Sequence, residues 1–300
     1  MSAKESSRKR SRPVQKRSIF DKKGVKFGLG LVIIIIIVAI SWFILISSNS
    51  APEATDDYPV IEKNSANYQI NVLSNDIDDD GDSLIIVDVT TPSHGTASIN
   101  ENYIDYTPSA EFSGVDTIEY TISDGKGASA TATIHVIVSN GNPIALFDTT
   151  MGIFAIELYE NKLPITVGNF VKLVNDGFYD GMIFYRISDD FMIQAGRYFP
   201  DGSESQSPYG TIEFETNDDV RHVDGAISMA STAPGVGGSA EFFICDGEQS
   251  FLDGSYAAFG AVIEGMDVVR DIASQPQDNS NPAGGGVPLE DIIINSINIE

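Results

Sequence analysis

One uninterrupted apolar run near the N-terminus limits what this chain can fold into. Residues 27–46 read FGLGLVIIIIIVAISWFILI, which is 20 residues without a charged side chain. A run of this length is sufficient to cross a bilayer as a helix. Ten of the chain's 18 Lys and Arg residues precede it, together with two acidic residues. The positive-inside rule therefore predicts a single-pass membrane protein with a cytoplasmic N-terminus.

The same run has a second interpretation, as a cleaved signal peptide. Its apolar core is longer than such peptides need and no small-residue cleavage site follows it, so we favour an uncleaved signal anchor. Beside a membrane span, the basic stretch 8–17 fits topology and lipid-headgroup contact better than nucleic-acid binding. We therefore predict a basic cytoplasmic tail at 1–26, a transmembrane anchor at 27–47 and a linker at 48–57, with the rest of the chain outside the cytoplasm.

The charge of the remaining chain is strongly acidic. The net charge is −25, and after residue 26 eight basic residues face 41 acidic ones. Nucleic-acid binding depends on Lys and Arg that neutralise phosphates, so the composition argues against a nucleic-acid partner. The single cysteine, Cys245, excludes an intrachain disulfide and lies in an apolar run, where we expect a buried inert thiol. The three histidines show no zinc-binding spacing.

Short runs that alternate apolar and polar residues fill residues 58–139. Turn sequences such as DDDGD, PSHG and DGKG separate them. Many short strands at such spacing predict a small β-sandwich. The pattern NDIDDDGDSL…HGTASI…YTPSAEFSGVDTIEYTISDGKGASATATIHV resembles the cadherin-like or Ig-like repeats of prokaryotic surface proteins over most of this segment.

An acidic turn in this segment, 76-DIDDDGD-82, carries carboxylates at alternate positions. Asp76, Asp78 and Asp80 match the start of a calcium loop, because a hard cation prefers oxygen ligands in this arrangement. The loop is not an EF-hand, since Val87 stands where a bidentate Glu is needed and strands flank it. Two interpretations stay open: a calcium site that would stiffen the domain, or a solvated acidic turn.

Residues 143–300 carry both strand and helix patterns. Two β-prone runs, 144–149 and 153–159, are joined by a Met-Gly turn. A helix should follow, because Pro164 fits a first helical turn and Gly177 fits a C-terminal cap. Further apolar runs lie at 182–187, 191–195, 226–230, 241–245 and 257–263, and a second helix is predicted at 265–274. These patterns alone predict an α+β or barrel domain.

Several motifs of this domain, taken in order, resemble those of cyclophilins, the peptidyl-prolyl isomerases. GFYDGMIFYRISDDFMIQAG at 177–196 is similar to the core signature of that family. The first helix of the family is matched by LPITVGNFVKLVNDGFYDG. The strand before its substrate groove is matched by HVDGAISMA at 222–230, and its second half is matched by residues 237–269. The resemblance implies a mainly β fold, an eight-stranded antiparallel barrel closed by two helices. It also implies catalysis without a cofactor.

The same resemblance assigns roles to individual residues. Arg186 would be the catalytic donor, because a guanidinium is always charged and presents a rigid fork of N–H groups. Gln194 would bind the peptide backbone and help to orient Arg186. The pattern of residues without the resemblance favours a surface arginine on an edge strand. The remaining substrate-binding residues that the resemblance implies are Phe191, Met192, Ser231, Glu241, Phe243, Phe251, Leu252 and Tyr256.

Glu241 is the most serious departure from the family pattern. The family usually has Gln at this position, and a carboxylate accepts hydrogen bonds but cannot donate them. Glu241 would pair with Arg186, and this pairing would either lower the activity or merely orient the guanidinium. Arg197 offers a compensating positive charge. Smaller departures from residues common in the family are Tyr185, Ser231, Phe251 and Tyr256.

These observations predict a membrane-anchored, extracytoplasmic peptidyl-prolyl isomerase that assists the folding of secreted or envelope proteins. Its partners would be proline-containing unfolded or extended polypeptides and, through residues 27–47, the cell membrane. Two alternatives stay open. In the first, the fold binds proline peptides without isomerising them, and the carboxylate of Glu241 is the reason to consider it. In the second, the chain is a structural cell-surface protein.

Overall fold

The computed structural model describes residues 49–300. The predicted tail and anchor, residues 1–47, lie outside the described residues. Between residues 49 and 300, no helix is both long and apolar enough to cross a membrane. Two domains with separate hydrophobic cores make up this part of the chain, a sandwich domain (residues 53–139) and a barrel domain (residues 144–299).

The sandwich domain consists of two sheets, as predicted. One has the strand order β1-β7-β6-β3 and the other β2-β5-β4, and only the β1–β7 pair is parallel. Alternate residues of β6, namely Ile118, Tyr120 and Ile122, are buried between the sheets, as a period of two requires. The strands are β1 (Val60–Glu62), β2 (Tyr68–Ile70), β3 (Ile85–Val89), β4 (Gly95–Asn100), β5 (Tyr103–Pro108), β6 (Gly114–Ser123) and β7 (Ser129–Ser139).

Residues 53–57, which we predicted as linker, belong to the sandwich domain. Glu53 forms a β-bridge with Ile77, and Asp57 forms one with Ile134. The linker prediction was therefore wrong for these residues. The polar side chains of these residues give no sign of the bridges, because the bridges are formed by backbone N–H and C=O groups.

The barrel domain is one antiparallel sheet of eight strands in the order β10-β11-β13-β12-β14-β9-β8-β15. Its two edges meet, because Ile183, just before β10, bridges to Ile293, just before β15. The strands are β8 (Ile144–Thr149), β9 (Gly152–Leu158), β10 (Arg186–Ser188), β11 (Met192–Ala195), β12 (Ala226–Met229), β13 (Phe242–Cys245), β14 (Ala257–Glu264) and β15 (Ile294–Ile299).

Two helices pack on this sheet, as predicted: α1 (Pro164–Asn175) and α2 (Met266–Ala273). Pro164 opens α1, and Gly177 follows its end with a φ of 66°, the left-handed conformation that suits glycine. The free backbone N–H groups at the start of α1 donate to a carboxylate that is distant in sequence. Glu215 Oε2 accepts from Ile165 N at 3.1 Å and from Thr166 N at 2.9 Å.

The sandwich and barrel domains touch where β7 leads into β8. Ile137 and Ile144 are buried there in a small apolar cluster. Beside this cluster, His135 of β7 lies 2.8 Å from Glu264 of β14, measured from Nδ1 to Oε1. The other side of the imidazole stacks on Tyr58, with ring centroids 4.8 Å apart. An apolar contact and a histidine–carboxylate contact, which is an ion pair when His135 is protonated, thus join the two domains.

Candidate active site

Strand register brings the predicted catalytic and binding residues into one row. Arg186 of β10 pairs with Gln194 of β11, and Gln194 pairs in turn with Phe243 of β13. Directly paired residues on neighbouring strands point to the same face of a sheet. Met192 is two residues before Gln194 and pairs with Cys245, so its side chain also lies on this face. The hairpin and its neighbour therefore present a cation, an amide and two apolar side chains together.

A cavity of about 140 Å³ lies over this row, and we call it the proline pocket. Ligand pockets for drug-sized molecules measure about 300–1,000 Å³, so this one suits a single small side chain. Seven of the nine predicted substrate-binding residues border it, together with Arg186. Its lining consists of Arg186, Phe191, Met192, Gln194, Ala230, Ser231, Phe243, Leu252 and Tyr256.

The floor of the proline pocket is held by a buried histidine that the sequence analysis did not single out. His222 is 1% exposed and stacks on the ring of Phe243, with centroids 6.0 Å apart. Its two ring nitrogens lie 2.9 Å from Asp253 Oδ1 and 2.9 Å from Ser228 Oγ. Burial lowers the pKa of His222, which favours the neutral imidazole under the aromatic floor. Such fixed contacts leave Phe243 little freedom to move.

Arg186 is held from behind by a glycine-rich loop near the C-terminus. Its Nε donates to Gly284 O at 3.1 Å, and Nη2 donates to Gly284 O at 3.0 Å and to Ala283 O at 3.2 Å. The guanidinium carbon lies 5.6 Å from the ring centroid of Phe191, in the range of cation–π contact. Nη1 reaches Gln194 Oε1 at 3.5 Å. No side-chain motif in the sequence marks this loop, because its backbone carbonyl groups supply the contacts.

Comparison with known proteins decides the family. The family model described as cyclophilin type peptidyl-prolyl cis-trans isomerase matches residues 144–299, more than half of the chain. The chain belongs to the cyclophilin family. A model described as bacterial Ig domain matches residues 49–137, which agrees with the sandwich domain and with its start before residue 58. The predicted resemblances are both confirmed.

Individual cyclophilins match this chain over most of their own length. A peptidyl-prolyl cis-trans isomerase of Arabidopsis thaliana is 38% identical over 46% of this chain and 85% of its own length. Peptidyl-prolyl cis-trans isomerase A of Dickeya dadantii is 33% identical over 57% of this chain and 87% of its own length. A solved cyclophilin of Cryptosporidium parvum is 28% identical, covers 53% of this chain and 98% of its own, and has a TM-score of 0.48.

Glu241, the unusual residue of this cyclophilin, lies in a chain of polar contacts beside the proline pocket. Its Oε1 is 3.6 Å from Arg197 Nη1, and its Oε2 accepts from the Tyr185 hydroxyl. The Gln194 amide also donates to the Tyr185 hydroxyl and lies 3.4 Å from Glu241 Oε2. Burial and the contact with Glu241 raise the pKa of Tyr185, so its hydroxyl stays protonated. Tyr185, one of the smaller departures from the family pattern, therefore connects Glu241 to Gln194.

Two predicted binding residues stand outside the proline pocket. Glu241 borders the neighbouring groove, together with Ser231 and Gly238. Phe251 is 70% exposed and stacks on the outer side of Phe191, with ring centroids 6.0 Å apart. Phe251 thus supports a pocket wall from outside instead of forming it.

The acidic turn of the Ig domain groups three carboxylates, but not the predicted three. Asp78, Asp80 and Asp82 each place an oxygen within 4.8 Å of the others. Asp76 instead turns inward, where its carboxylate accepts from the Tyr120 hydroxyl at 3.1 Å. Asp78 Oδ2 and Asp82 Oδ2 are buried without a hydrogen-bond partner within residues 49–300.

A lysine competes for this acidic turn. Lys126 Nζ lies 2.6 Å from Asp82 Oδ1 and supplies a positive charge of its own. The ligand chemistry fits calcium, because all the oxygens are carboxylates at alternate positions. Calcium binding at this turn stays a prediction.

Proposed function

We propose that this cyclophilin isomerises X-Pro bonds in extended polypeptide segments outside the cytoplasm, held at the membrane by residues 27–47. Family membership supports the isomerase activity. The observation that carries the mechanism is the position of Arg186, fixed from behind by Ala283 and Gly284 and bordering a pocket sized for one small ring.

The reaction sets simple demands on the protein. Rotation about a peptide bond costs about 18–20 kcal/mol, because the nitrogen lone pair is conjugated with the carbonyl. No bond to the enzyme is needed. The protein must hold the proline ring and stabilise the twisted state, in which the nitrogen becomes pyramidal and accepts a hydrogen bond. Interactions that are stronger in that state than in the ground state accelerate the reaction.

The proline pocket provides the first requirement. Met192, Phe243 and Leu252 are 2%, 7% and 8% exposed, so the walls are already packed before a peptide arrives. A pre-organised apolar pocket binds a proline ring without the entropic cost of ordering its own walls.

Arg186 provides the second requirement. Nε and both N–H groups of Nη2 are taken by Ala283 and Gly284, and one N–H of Nη1 is directed at Gln194. A guanidinium has five N–H donors. We assign the remaining Nη1 N–H to the proline nitrogen of the twisted state. Donors fixed in advance stabilise developing charge without reorganisation during the reaction.

The cellular location rests on the sequence alone. The 20-residue uncharged run and the ten preceding positive charges support a signal anchor with the Ig and cyclophilin domains outside. Protease added to intact cells tests this directly. The proposal expects the Ig and cyclophilin domains to be digested while the basic tail is protected. Full protection of both domains would contradict it.

Two measurements on the full chain in a non-denaturing detergent, of peptide isomerisation and of peptide binding, distinguish the proposed enzyme from a non-catalytic proline-binding module. A short Ala-Pro peptide should be isomerised well above the uncatalysed rate. If the peptide binds but is not isomerised, the chain is a proline-recognition module. The contacts of Glu241 weaken that rival, because its carboxylate is engaged by Arg197 and Tyr185.

A further inference from the structure

A row of four side chains, Arg186, Gln194, Tyr185 and Glu241, is joined by hydrogen bonds, and we call it the donor row. Arg186 Nη1 donates to Gln194 Oε1 at 3.5 Å, and Gln194 Nε2 donates to the Tyr185 hydroxyl. The Tyr185 hydroxyl donates in turn to Glu241 Oε2, which also lies 3.4 Å from Gln194 Nε2. Donation therefore runs in one direction, from the guanidinium to the carboxylate.

We propose that Tyr185 is a positioning residue of the isomerase, which fixes the side-chain amide of Gln194 with its oxygen facing Arg186. The inference rests on the proposed function, because it concerns the same arginine. It gives a task to a side chain that lies outside the proline pocket.

The carboxylate of Glu241 sets the direction of the donor row. A carboxylate accepts hydrogen bonds and cannot donate them, so the Tyr185 hydroxyl directs its single proton at Glu241. The Gln194 side chain then meets only the lone pairs of that hydroxyl, which its NH₂ group can bind. A flipped amide would place the Gln194 oxygen against two acceptors and its NH₂ group against a guanidinium, which has donors alone. One orientation of the amide is thus strongly favoured.

The hydroxyl at the centre of the donor row keeps its proton. Burial, and then the hydrogen bond to Glu241, raises the pKa of Tyr185, and the smaller opposing effect of Arg197 does not reverse this. Arg197 Nη1 lies 3.6 Å from Glu241 Oε1, so the acceptor at the end of the row has a cation beside it. The donor to Glu241 is therefore present at neutral pH.

The backbone and the ring of Tyr185 are held independently of its hydroxyl. Tyr185 N donates to Gln194 O at 3.0 Å. The ring meets that of Tyr198 edge to face, with centroids 5.0 Å apart and an interplanar angle of 72°. Removal of the hydroxyl alone should leave the ring in place, so Tyr185→Phe tests the hydrogen bonds and not the packing.

Tyr185→Phe should lower kcat more than it affects peptide binding. Without the hydroxyl the Gln194 amide can rotate, and Arg186 Nη1 loses a fixed partner. We expect kcat on an Ala-Pro peptide to fall about three- to tenfold, the effect of roughly one hydrogen bond, while KM changes less than about twofold. Tyr198→Phe is the matched control, because it removes a hydroxyl from the neighbouring ring and leaves the donor row complete. A wild-type kcat in Tyr185→Phe would overturn the proposal.

A double-mutant cycle with Gln194→Ala distinguishes positioning from a general structural effect. If Tyr185 acts through Gln194, Tyr185→Phe should change kcat by less than about twofold once the Gln194 side chain is gone. Losses that multiply in the double variant would overturn the proposal, because Tyr185 would then act by another route.

A measurement that needs no turnover separates failure of this inference from failure of the proposed function. The side-chain amide protons of Gln194 can be assigned by NMR of the full chain in detergent, through their absence in Gln194→Ala. They should exchange with water about tenfold or more faster in Tyr185→Phe than in the wild type. If the wild type isomerises nothing, the proposed activity is wrong, and faster exchange would still support the fixed amide. Equal exchange rates would overturn the positioning role even in an active enzyme.

Discussion

The carboxylate of Glu241 lies 3.6 Å from the guanidinium of Arg197 and accepts a hydrogen bond from Tyr185. Arg186 has its own partners, the carbonyl oxygens of Ala283 and Gly284. Within residues 49–300, Glu241 and Arg186 thus do not form the ion pair that would weaken the proposed catalytic donor, and Arg197 lies where it can supply the compensating charge that the sequence suggested.

Removing Arg197 should therefore expose the cost of Glu241. In Arg197→Ala the carboxylate loses its cation and acts more strongly on Gln194 and, through it, on Arg186. We expect kcat/KM to fall about two- to fivefold, a modest effect because Arg197 is 41% exposed and solvent screens the pair. Steady-state isomerisation of one Ala-Pro peptide measures it.

The double variant Arg197→Ala/Glu241→Gln is the control for this prediction. It removes both charges, so activity should return to near the wild-type value, and Glu241→Gln alone should change activity less than threefold. If Glu241→Gln alone raised activity tenfold or more, the carboxylate would be inhibitory despite Arg197.

The glycine-rich loop should matter for kcat, because its carbonyl groups hold Arg186 in place. Gly285 has a φ of +75°, and a Cβ there would lie 2.1 Å from Ile187 O. Gly285→Ala should displace the neighbouring carbonyls of Ala283 and Gly284 and so release Arg186. We expect kcat to fall about tenfold or more while KM changes little, since the proline pocket stays intact.

Gly210→Ala provides the matched control for the loop. Gly210 has a similar φ of +73°, but nothing lies within 4 Å of its added Cβ. The variant carries the same backbone strain without the collision. Equal losses of kcat in the two variants would show that strain alone, and not the hold on Arg186, lowers the activity.

The sequence predicted most of the elements, because their signals are local. Alternation marked β6, and the proline and glycine at the ends of α1 marked its limits. The strand β15, read INSINI, was missed because its buried Ile294 and Ile297 are three apart, which a strict period of two does not select.

The site was predictable only as far as the family motif extends. The motif predicted Arg186 and the pocket walls. It did not predict the hydrogen bond from Arg186 to Gly284 O, because a backbone carbonyl 98 positions away leaves no side-chain signal. The spacing of the acidic residues also predicted Asp76 as a calcium ligand. It could not reveal that this carboxylate faces the Tyr120 hydroxyl, because that contact is made in three dimensions.

The contact between the two domains should depend on pH. The carboxylate of Glu264, and to a smaller degree Asp56 at 3.9 Å, raises the pKa of His135 above its ordinary value. A raised folded-state pKa means that the stabilisation is fully present below the unfolded pKa of about 6.5 and is lost as the pH rises through the folded value. The ion pair should thus stabilise the protein at pH 5.5 and much less at pH 8.5.

Urea unfolding of wild type and His135→Gln at both pH values measures this effect. The difference in the free energy of unfolding should be on the order of 1 kcal/mol at pH 5.5 and smaller at pH 8.5. Glu264→Gln should remove most of the pH dependence of that difference, and Asp56 would account for the remainder. A difference that grows with pH would contradict the assignment.

Calcium should act on the Ig domain if its acidic turn holds the ion. Raising calcium to millimolar levels should increase the melting temperature of the chain by about 2–5 °C relative to EDTA, and magnesium should do less. Lys126→Ala removes the competing ammonium group near Asp82 and should enlarge the calcium effect. No shift in either protein would identify the turn as a solvated acidic loop that binds no calcium.

The most direct test of the account is the isomerisation rate of Arg186→Ala compared with wild type on an Ala-Pro peptide. Arg270→Ala is the control, because it removes an arginine that is 51% exposed and lies in α2, away from the proline pocket. Loss of one fixed donor to the transition state should lower kcat about 10²- to 10³-fold, and the control should keep wild-type activity. Activity within threefold of wild type in Arg186→Ala would contradict the assignment of this guanidinium as the catalytic donor.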